Sequence, residues 1–586
     1  MRLEPDRIEV NADLIGAVPF TDGPARVGPI EVVTGPGPGV AAIGWSLANR
    51  GDVAVPVRSV ALVFRLVEVT APLRFFRNGY QSWSPSGVAT FGIDTDPSLT
   101  SGSLELVRAM HHGDAAVARA GELRSEWVTV LQAAGSAPLL VGFDGGDRHD
   151  GTLRLRHGAA GPELWVEAFL GDAVIAPGEQ HELHAVLIAD GATDGASAPM
   201  LLEHWATEVG RVGQARVAAP YQVGWCSWYH YFHDVTEADL RSNLALADDW
   251  PFDVFQLDDG FQSAIGDWLT TNDRFPSDLD QIAASIAAAG RVPGLWIAPF
   301  VVAPDSEVAT AHPEWLAHFP NGDPLIGMFN PPWGGGQGGF MWALDTTRPD
   351  VLDHLESVGR DLVDAGFDYL KLDFTFAPSF DGVWADPGLT PAQRVRAGYD
   401  AVRRGAGDDT FILGCGVPLA NVVGVVDANR IGADVAPSWG FERPDDVGAL
   451  AGYERVQPAT VHSWQNTLSR SFMHRKLWLN DPDCLMLRQS ETRMSPDAMR
   501  TWAHAVAVSG GMALVSDDLA LLGDEARSLL DEVVTLGRVS DAAAIAGSPA
   551  QCDDVMAHAL PRQLEAAGMI LESDDPVTGT STLRPR

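Results

Sequence analysis

The chain has 586 residues, 46% hydrophobic and 20% charged, enough to bury large cores without disulfide or metal staples, and its length points to several domains. Forty Lys and Arg against 78 Asp and Glu leave a formal charge of −38, which repels nucleic-acid phosphates and anionic membranes and suits a neutral, hydroxyl-rich substrate.

The chain begins MRLEPDRIEVNADLIG, with no basic region followed by an apolar run, so no secretory leader is expected. Residues 1 to 205 carry short alternating runs: VAVPVRSVALVFRLVEV (53–69), WVTVLQ (127–132), LLVGFD (139–144), LRLRH (153–157) and HELHAVLIA (181–189). Gly, Pro and Asp divide them, which predicts antiparallel sheets packed as a sandwich. A helical period first appears at MLLEHWATEVGRV (200–212).

From Gln222 the texture changes. Eight short apolar runs, at 222–228, 253–259, 292–299, 367–374, 410–416, 428–434, 475–481 and 511–518, now alternate with helix-like segments. Helices are expected at 235–250, 278–290, 348–366, 390–407 and 496–510, with caps at Thr236, Ser277 or Asp278, and Thr390, and ends at Gly290 and Gly366. This alternation predicts an α/β architecture, a central parallel (β/α)8 TIM barrel. The alternative, a doubly wound sheet, lacks a G-x-G-x-x-G after any strand. Residues beyond 530 predict a small β domain or a loose tail, with DDPVTGTSTLRPR mobile. The expected domains are thus 1–205 (β-sandwich), 206–528 (catalytic barrel) and 529–586 (small C-terminal β domain or tail). No run approaches about 18 apolar residues, so a cytoplasmic protein without a membrane span is expected.

The expected barrel strands end in Trp228, Asp258 and Asp259, Trp296, Lys371 and Asp373, Cys415, Asp434, Asp481 and Asp483, and Asp517 and Asp518. In a barrel these ends converge on one face. Any single Asp here could cap a helix or start a turn. The whole set would crowd like charges unless something binds them. Lys371 and Asp373, two apart on a strand, point to the same side. Lys371 is therefore expected to keep Asp373 ionised and to reach a substrate hydroxyl. Only Lys371 and Lys476 are lysines among the 40 basic residues, so a retained lysine suggests a need for a compact ammonium. Carboxylates on separate strands of one mouth, Asp373 and Asp434, are the equipment of glycoside hydrolysis, at a separation of about 5–5.5 Å if configuration is retained. Asp258 and Asp259 suit neighbouring hydroxyls. Trp83, Trp225, Trp228, Trp268, Trp296 and Trp439 lie near polar motifs, and an indole packs on the C–H face of a pyranose. Cys226, Cys415, Cys484 and Cys552 have no C-x-x-C spacing, and no phosphate-binding glycine loop occurs. Neither metal nor cofactor is expected.

GWCSWYHYF (224–232), FQLDDGFQSAIGDWL (255–269), PGLWIAPF (293–300), YLKLDF (369–374), ILGCGVPL (412–419), RIGADVAPSW (430–439) and WLNDPDCLMLR (478–488) together resemble the melibiase-type α-galactosidases of glycoside hydrolase family 36. NGYQSWSP (78–85) resembles the signature of that family's N-terminal β-sandwich. The resemblance implies a β-supersandwich, a (β/α)8 barrel and a C-terminal β domain. It implies retaining hydrolysis of terminal α-linked galactose from oligosaccharides such as melibiose or raffinose, with Asp373 as nucleophile and Asp434 as acid/base. It places Asp258 and Asp259 on galactose O4 and O6, Lys371 on O3 or O4, and Cys415 and Arg430 near O2. Trp228, Tyr229 and Trp296 wall the pocket, and Trp83 reaches over from the first domain. The chain departs from the family at Gly260-Phe261-Gln262, in a short C-terminal domain, and in NPPWGGGQGGFM (330–341), expected as a mobile loop at the mouth. Alternatives are α-N-acetylgalactosaminidase, decided by room around Cys415 and Gly416, α-galactosyl transfer, a non-catalytic galactoside-binding protein, and a metal-dependent hydrolase. The expected partner is an oligosaccharide, and the oligomeric state stays open.

Overall fold

Eight strands form one parallel sheet: Val223–Cys226, Val254–Leu257, Val292–Ile297, Tyr369–Leu372, Phe411–Gly414, Ala428–Arg430, Leu479–Asp481 and Ala513–Val515. The computed structural model describes residues 1–12, 15–37, 42–96, 105–113, 119–333, 338–441 and 457–586. Each of the eight strands lies inside an expected run. They pair in chain order from first to seventh, and the eighth pairs back onto the first. The seam between seventh and eighth closes through Met512 N–H donating to the Asn480 carbonyl (2.9 Å) and Leu485 N–H donating to the Leu514 carbonyl (2.7 Å). The strands are apolar almost throughout because helices cover one face and the barrel core the other.

The helices around the barrel begin where the caps predicted. Thr236 and Thr390 close reciprocal capping boxes with Asp239 and Gln393. Asp278 occupies the cap position of Leu279–Ala288 without a side-chain bond. Gly290 and Gly366 follow helix ends with φ of 73° and 105°, where a side chain would be strained.

Residues before the barrel build two antiparallel sheets, of six and nine strands. Val55–Val67 is central to the first, between Arg2–Ala12 and Gly161–Ile175. The expected run 181–189 divides into Gln180–Glu182 and Val186–Asp190, each pairing a different part of Ala42–Asn49. A short helix, Glu105–His112, interrupts this region where none was expected.

Three expectations are corrected. The border at 205/206 falls inside the helix Ala198–Val212, and that at 528/529 inside Asp524–Ile545. Both helices bury one continuous face, Leu201 to Val209 in one and Leu529 to Ala544 in the other, so packing runs across each border. The final residues are no loose tail. Thr580–Pro585 pairs with Met569–Asp575, which pairs with Gln563–Ala566. Asp575 makes the connecting turn: its carboxylate accepts from Val577 N–H and the Thr578 hydroxyl, and its carbonyl from Gly579 N–H. Of the glycine-rich run 330–341, residues 334–337 lie outside the described residues. Phe340–Ala343 is a strand paired with Ile326–Phe329 and Val301–Val302.

Among the described residues no helix is long and apolar enough to cross a membrane. One arginine ties the first region to the barrel. Arg470, fully buried at the end of helix Thr460–Ser469, donates to the carbonyls of Ser82 (2.8 Å), Ile431 (2.7 Å), Ser84 (3.0 Å), Gly79 (3.2 Å) and Gln81 (3.3 Å), and to Asn78 Oδ1 (3.3 Å). Asn466 adds bonds to Ser84 and Ser86. Burial without a carboxylate partner pulls the Arg470 pKa down to about 9. We expect Arg470→Met to cost at least about 3 kcal/mol, because several buried carbonyls lose their donor. Arg470→Lys should recover only part, since a point ammonium cannot replace the planar fork. Urea unfolding checks both, and a loss below about 1 kcal/mol for Met would show that the clasp is dispensable.

Candidate active site

The mouth of the barrel is built around two buried cations. Lys371 is the last residue but one of the fourth strand, Tyr369–Leu372, with Nζ 2.9 Å from Asp258 Oδ2 and 3.7 Å from Asp373 Oδ2. The shared side of Lys371 and Asp373 was expected, but the ammonium leans to Asp258. Asp258, at the tip of Val254–Leu257, also accepts from Gln256 Nε2 at 2.5 Å. Burial opposes the charge on Lys371, yet Asp258 and then Asp373 more than offset it and hold its pKa well above the usual value.

Asp373 accepts from Trp296 Nε1 at 3.0 Å and from the Phe374 amide at 2.8 Å. Phe374 takes φ of 51°, uncommon for a bulky residue, and its ring meets those of Trp83 (5.3 Å), Trp333 (5.0 Å) and Trp296 (6.4 Å) edge-on. Asp259 accepts from Trp333 Nε1 and Gln262 Nε2, each at 2.7 Å. Burial pushes the Asp259 pKa up to about 6, against the pull of those two donors.

Arg430 ends the sixth strand, and each of its three nitrogens meets a different carboxylate. Nη1 lies 3.1 Å from Asp434, Nε 3.0 Å from Asp481 and Nη2 2.8 Å from Asp483. Asp434 keeps 34% of its side chain exposed, against 8% for Asp373 and 2% for Asp258. Partial desolvation raises the Asp434 pKa, and the Asp373 charge adds to it, against Arg430. The two carboxylates therefore sense each other across the mouth.

Cys415 is buried at the end of the fifth strand within electrostatic reach of Asp373, Arg430, Lys371 and Asp434, and burial raises its thiol pKa well above the usual value. Tyr229 is buried and donates its hydroxyl to Asp483. Trp228 is partly buried, edge-on to Phe232. Trp83 comes from the segment held by Arg470 and packs on Phe374 and Phe376. A Cβ on Gly416 would come within 2.7 Å of the Trp83 ring, and Gly416 has φ of 53°. First-region and barrel residues thus meet beside Asp373.

Arg430, expected near the sugar, also pairs its nitrogens with three carboxylates. Other expected residues play other parts. Trp225 stacks on Phe255 in the core and donates to the Asp517 carbonyl. Trp268 packs behind Trp296, and Trp439 donates to the Pro576 carbonyl of the C-terminal sheet. Asp517 pairs with Arg488, and Asp518 caps the turn at Ala520, the ordinary structural roles. Sequence reasoning missed Trp333, Gln256, Gln262 and Phe374. Trp333 was hidden in the glycine-rich run, and its only signal was an indole beside a Pro-Pro turn.

Residues 220–377, which hold Asp258, Asp259, Trp296, Lys371 and Asp373, match the family model described as Melibiase. An α-galactosidase of Geobacillus stearothermophilus is 28% identical over 194 residues, 33% of this chain and 23% of that protein. One of Lactobacillus acidophilus is 26% identical over 155 residues, 25% of this chain and 20% of that protein. The matched parts span under a quarter of these curated relatives. A solved α-galactosidase of Thermus thermophilus, in complex with p-nitrophenyl α-D-galactopyranoside, superposes with a TM-score of 0.67 at 25% identity, covering 90% of this chain and 97% of that one. A Geobacillus stearothermophilus α-galactosidase variant in complex with raffinose shares the fold, with a TM-score of 0.61 at 13% identity over 97% of this chain and 79% of that one.

The Lys371 arrangement can be tested by stability. Lys371→Met leaves Asp258 and Asp373 buried without their ammonium, which should cost about 3–5 kcal/mol at neutral pH. Urea unfolding at neutral pH measures this; a loss below about 1 kcal/mol would show that the ammonium is dispensable to the fold.

Proposed function

We propose that this protein is a retaining α-galactosidase that removes terminal α-linked galactose from oligosaccharides such as melibiose and raffinose through a covalent galactosyl-aspartate. The observation that carries the proposal is the contrast between Asp373 and Asp434. Asp373 is nearly enclosed and faces three donors: Lys371, Trp296 and the Phe374 amide. Asp434 is more open and has a raised pKa. The first setting suits a nucleophile and the second an acid that must hold a proton and then release it.

In this reading Asp373 attacks the anomeric carbon while Asp434 protonates the departing oxygen. Asp434, now ionised, takes a proton from water, which attacks the galactosyl-enzyme and restores Asp373. Asp258 and Asp259 accept galactose hydroxyls, and Lys371 donates to one between them. Trp83, Trp228 and Trp296 supply apolar walls. The close packing of Trp83 on Gly416 favours galactose over the bulkier N-acetylgalactosamine.

Azide separates the two roles. Asp373→Gly should lose at least about 10³-fold in turnover and form β-galactosyl azide when azide is added. Asp434→Gly should give α-galactosyl azide instead, because its nucleophile remains. Product configuration is read by proton NMR, and the α product from Asp373→Gly would reverse the assignment. The raised pKa of Asp434 keeps the acid protonated to higher pH than an ordinary carboxyl. The alkaline fall of kcat/KM should therefore lie above the ordinary carboxylate range and vanish in Asp434→Asn.

A further inference from the structure

Asp483 stands two residues beyond the end of the seventh strand with φ of 95°, in a region that L side chains rarely adopt. Strain at such a position persists only where surrounding bonds over-determine it. Here they do. Asp483 is buried, and both its oxygens are fully engaged. Oδ1 accepts from the Cys484 amide (2.7 Å) and lies 2.8 Å from Arg430 Nη2. Oδ2 accepts from the Tyr229 hydroxyl and from the Val435 amide (2.9 Å). Val435 is the residue after Asp434, and Arg430 is the cation that pairs with Asp434. One strained carboxylate thus grips both the backbone next to Asp434 and its counter-ion.

We propose that Asp483 is a positioning residue for Asp434, holding its loop through the Val435 amide and taking up Arg430 charge that would otherwise fall on Asp434. The proposal rests on the acid/base reading of Asp434. Charged and titratable groups face Asp434 from every side of the mouth: Arg430 on its own strand, Asp373 and Lys371 from the fourth, Cys415 from the fifth, Tyr229 from the turn after the first, and Asp483 from beyond the seventh. With Asp483 neutral, a negative neighbour disappears and Arg430 is freed toward Asp434. Both effects favour the ionised form of Asp434.

The test is the pH dependence of kcat/KM on melibiose and on 2,4-dinitrophenyl α-galactoside. Asp483→Asn suits the backbone, because Asn tolerates positive φ and keeps an acceptor for Val435. Its alkaline limb should move down by about one pH unit. Its loss at neutral pH should be about tenfold greater on melibiose, whose leaving group needs a proton, than on the dinitrophenyl substrate. An unmoved limb in Asp483→Asn, or equal losses on both substrates, overturns the proposal while leaving the acid/base reading intact. If Asp483→Asn does not fold, Asp483→Ser, smaller and also uncharged, decides: a downward shift of the limb supports the proposal and an unmoved limb overturns it. An alkaline limb that persists in Asp434→Asn would remove the acid/base reading, and the proposal with it.

Discussion

The mouth of this barrel is governed by a shortage of positive charge. Among the described residues, Lys371 and Arg430 are the two cations set against Asp258, Asp259, Asp373, Asp434, Asp481 and Asp483. Carboxylates left unpaired in a buried setting protonate or draw in other donors. Each therefore has its own remedy: Asp258 takes the ammonium, Asp373 an indole and an amide, Asp259 an indole and an amide side chain, and Asp434, Asp481 and Asp483 the guanidinium. The two cations differ as their partners require. Lys371 is a point charge between two strand tips, whereas Arg430 spreads three nitrogens over three carboxylates, a task for a planar fork.

Much of this was legible in the sequence because barrel geometry converts strand position into location. All eight strands were readable from apolar runs, and their ends named Asp258, Asp259, Asp373, Asp434, Lys371 and Cys415. Spacing of two placed Lys371 and Asp373 on one side. Which carboxylate the ammonium would reach depends on the second strand, two places along the barrel, and the placing of one strand against another has no local sequence signal. For the same reason the pairing of Arg430 with Asp481 and Asp483 was not legible, since they reach it from another strand. The scarcity of lysine was informative at Lys371, but Lys476 pairs with Glu203 away from the mouth. Trp268 and Trp439 also lay beside polar motifs and proved to be packing, because adjacency in sequence does not say which face a ring turns to.

The C-terminal segment was read two ways, as a small β domain or a loose tail, and the small sheet is what forms. Thr, Ser and Gly in 578–582 suggest a loose tail when counted as composition. Once Asp575 makes its turn, the same residues fall into register with Met569–Asp575. The polarity of a two-sided edge strand and that of a mobile tail are alike, and only the turn chemistry separates them. The helix borders erred similarly, since composition changes mark where chemistry changes while packing continues through Ala198–Val212 and Asp524–Ile545.

These elements meet at Arg470 and Trp83. The segment 78–86 belongs by chain order to the first region, yet its carbonyls are bound by a barrel arginine and its Trp83 rests on Phe374, the residue after Asp373. Arg470 spends its donors on backbone carbonyls, so this junction depends on geometry and little on charge. Phe374 in turn holds a left-handed backbone and lends its amide to Asp373. A displacement at the junction would reach Asp373 through one ring contact and one amide, without passing through either cation. The orientation of Asp373 therefore depends on the fit between the two halves, while the charge of Asp434 depends on how Arg430 is shared, and the two can vary separately.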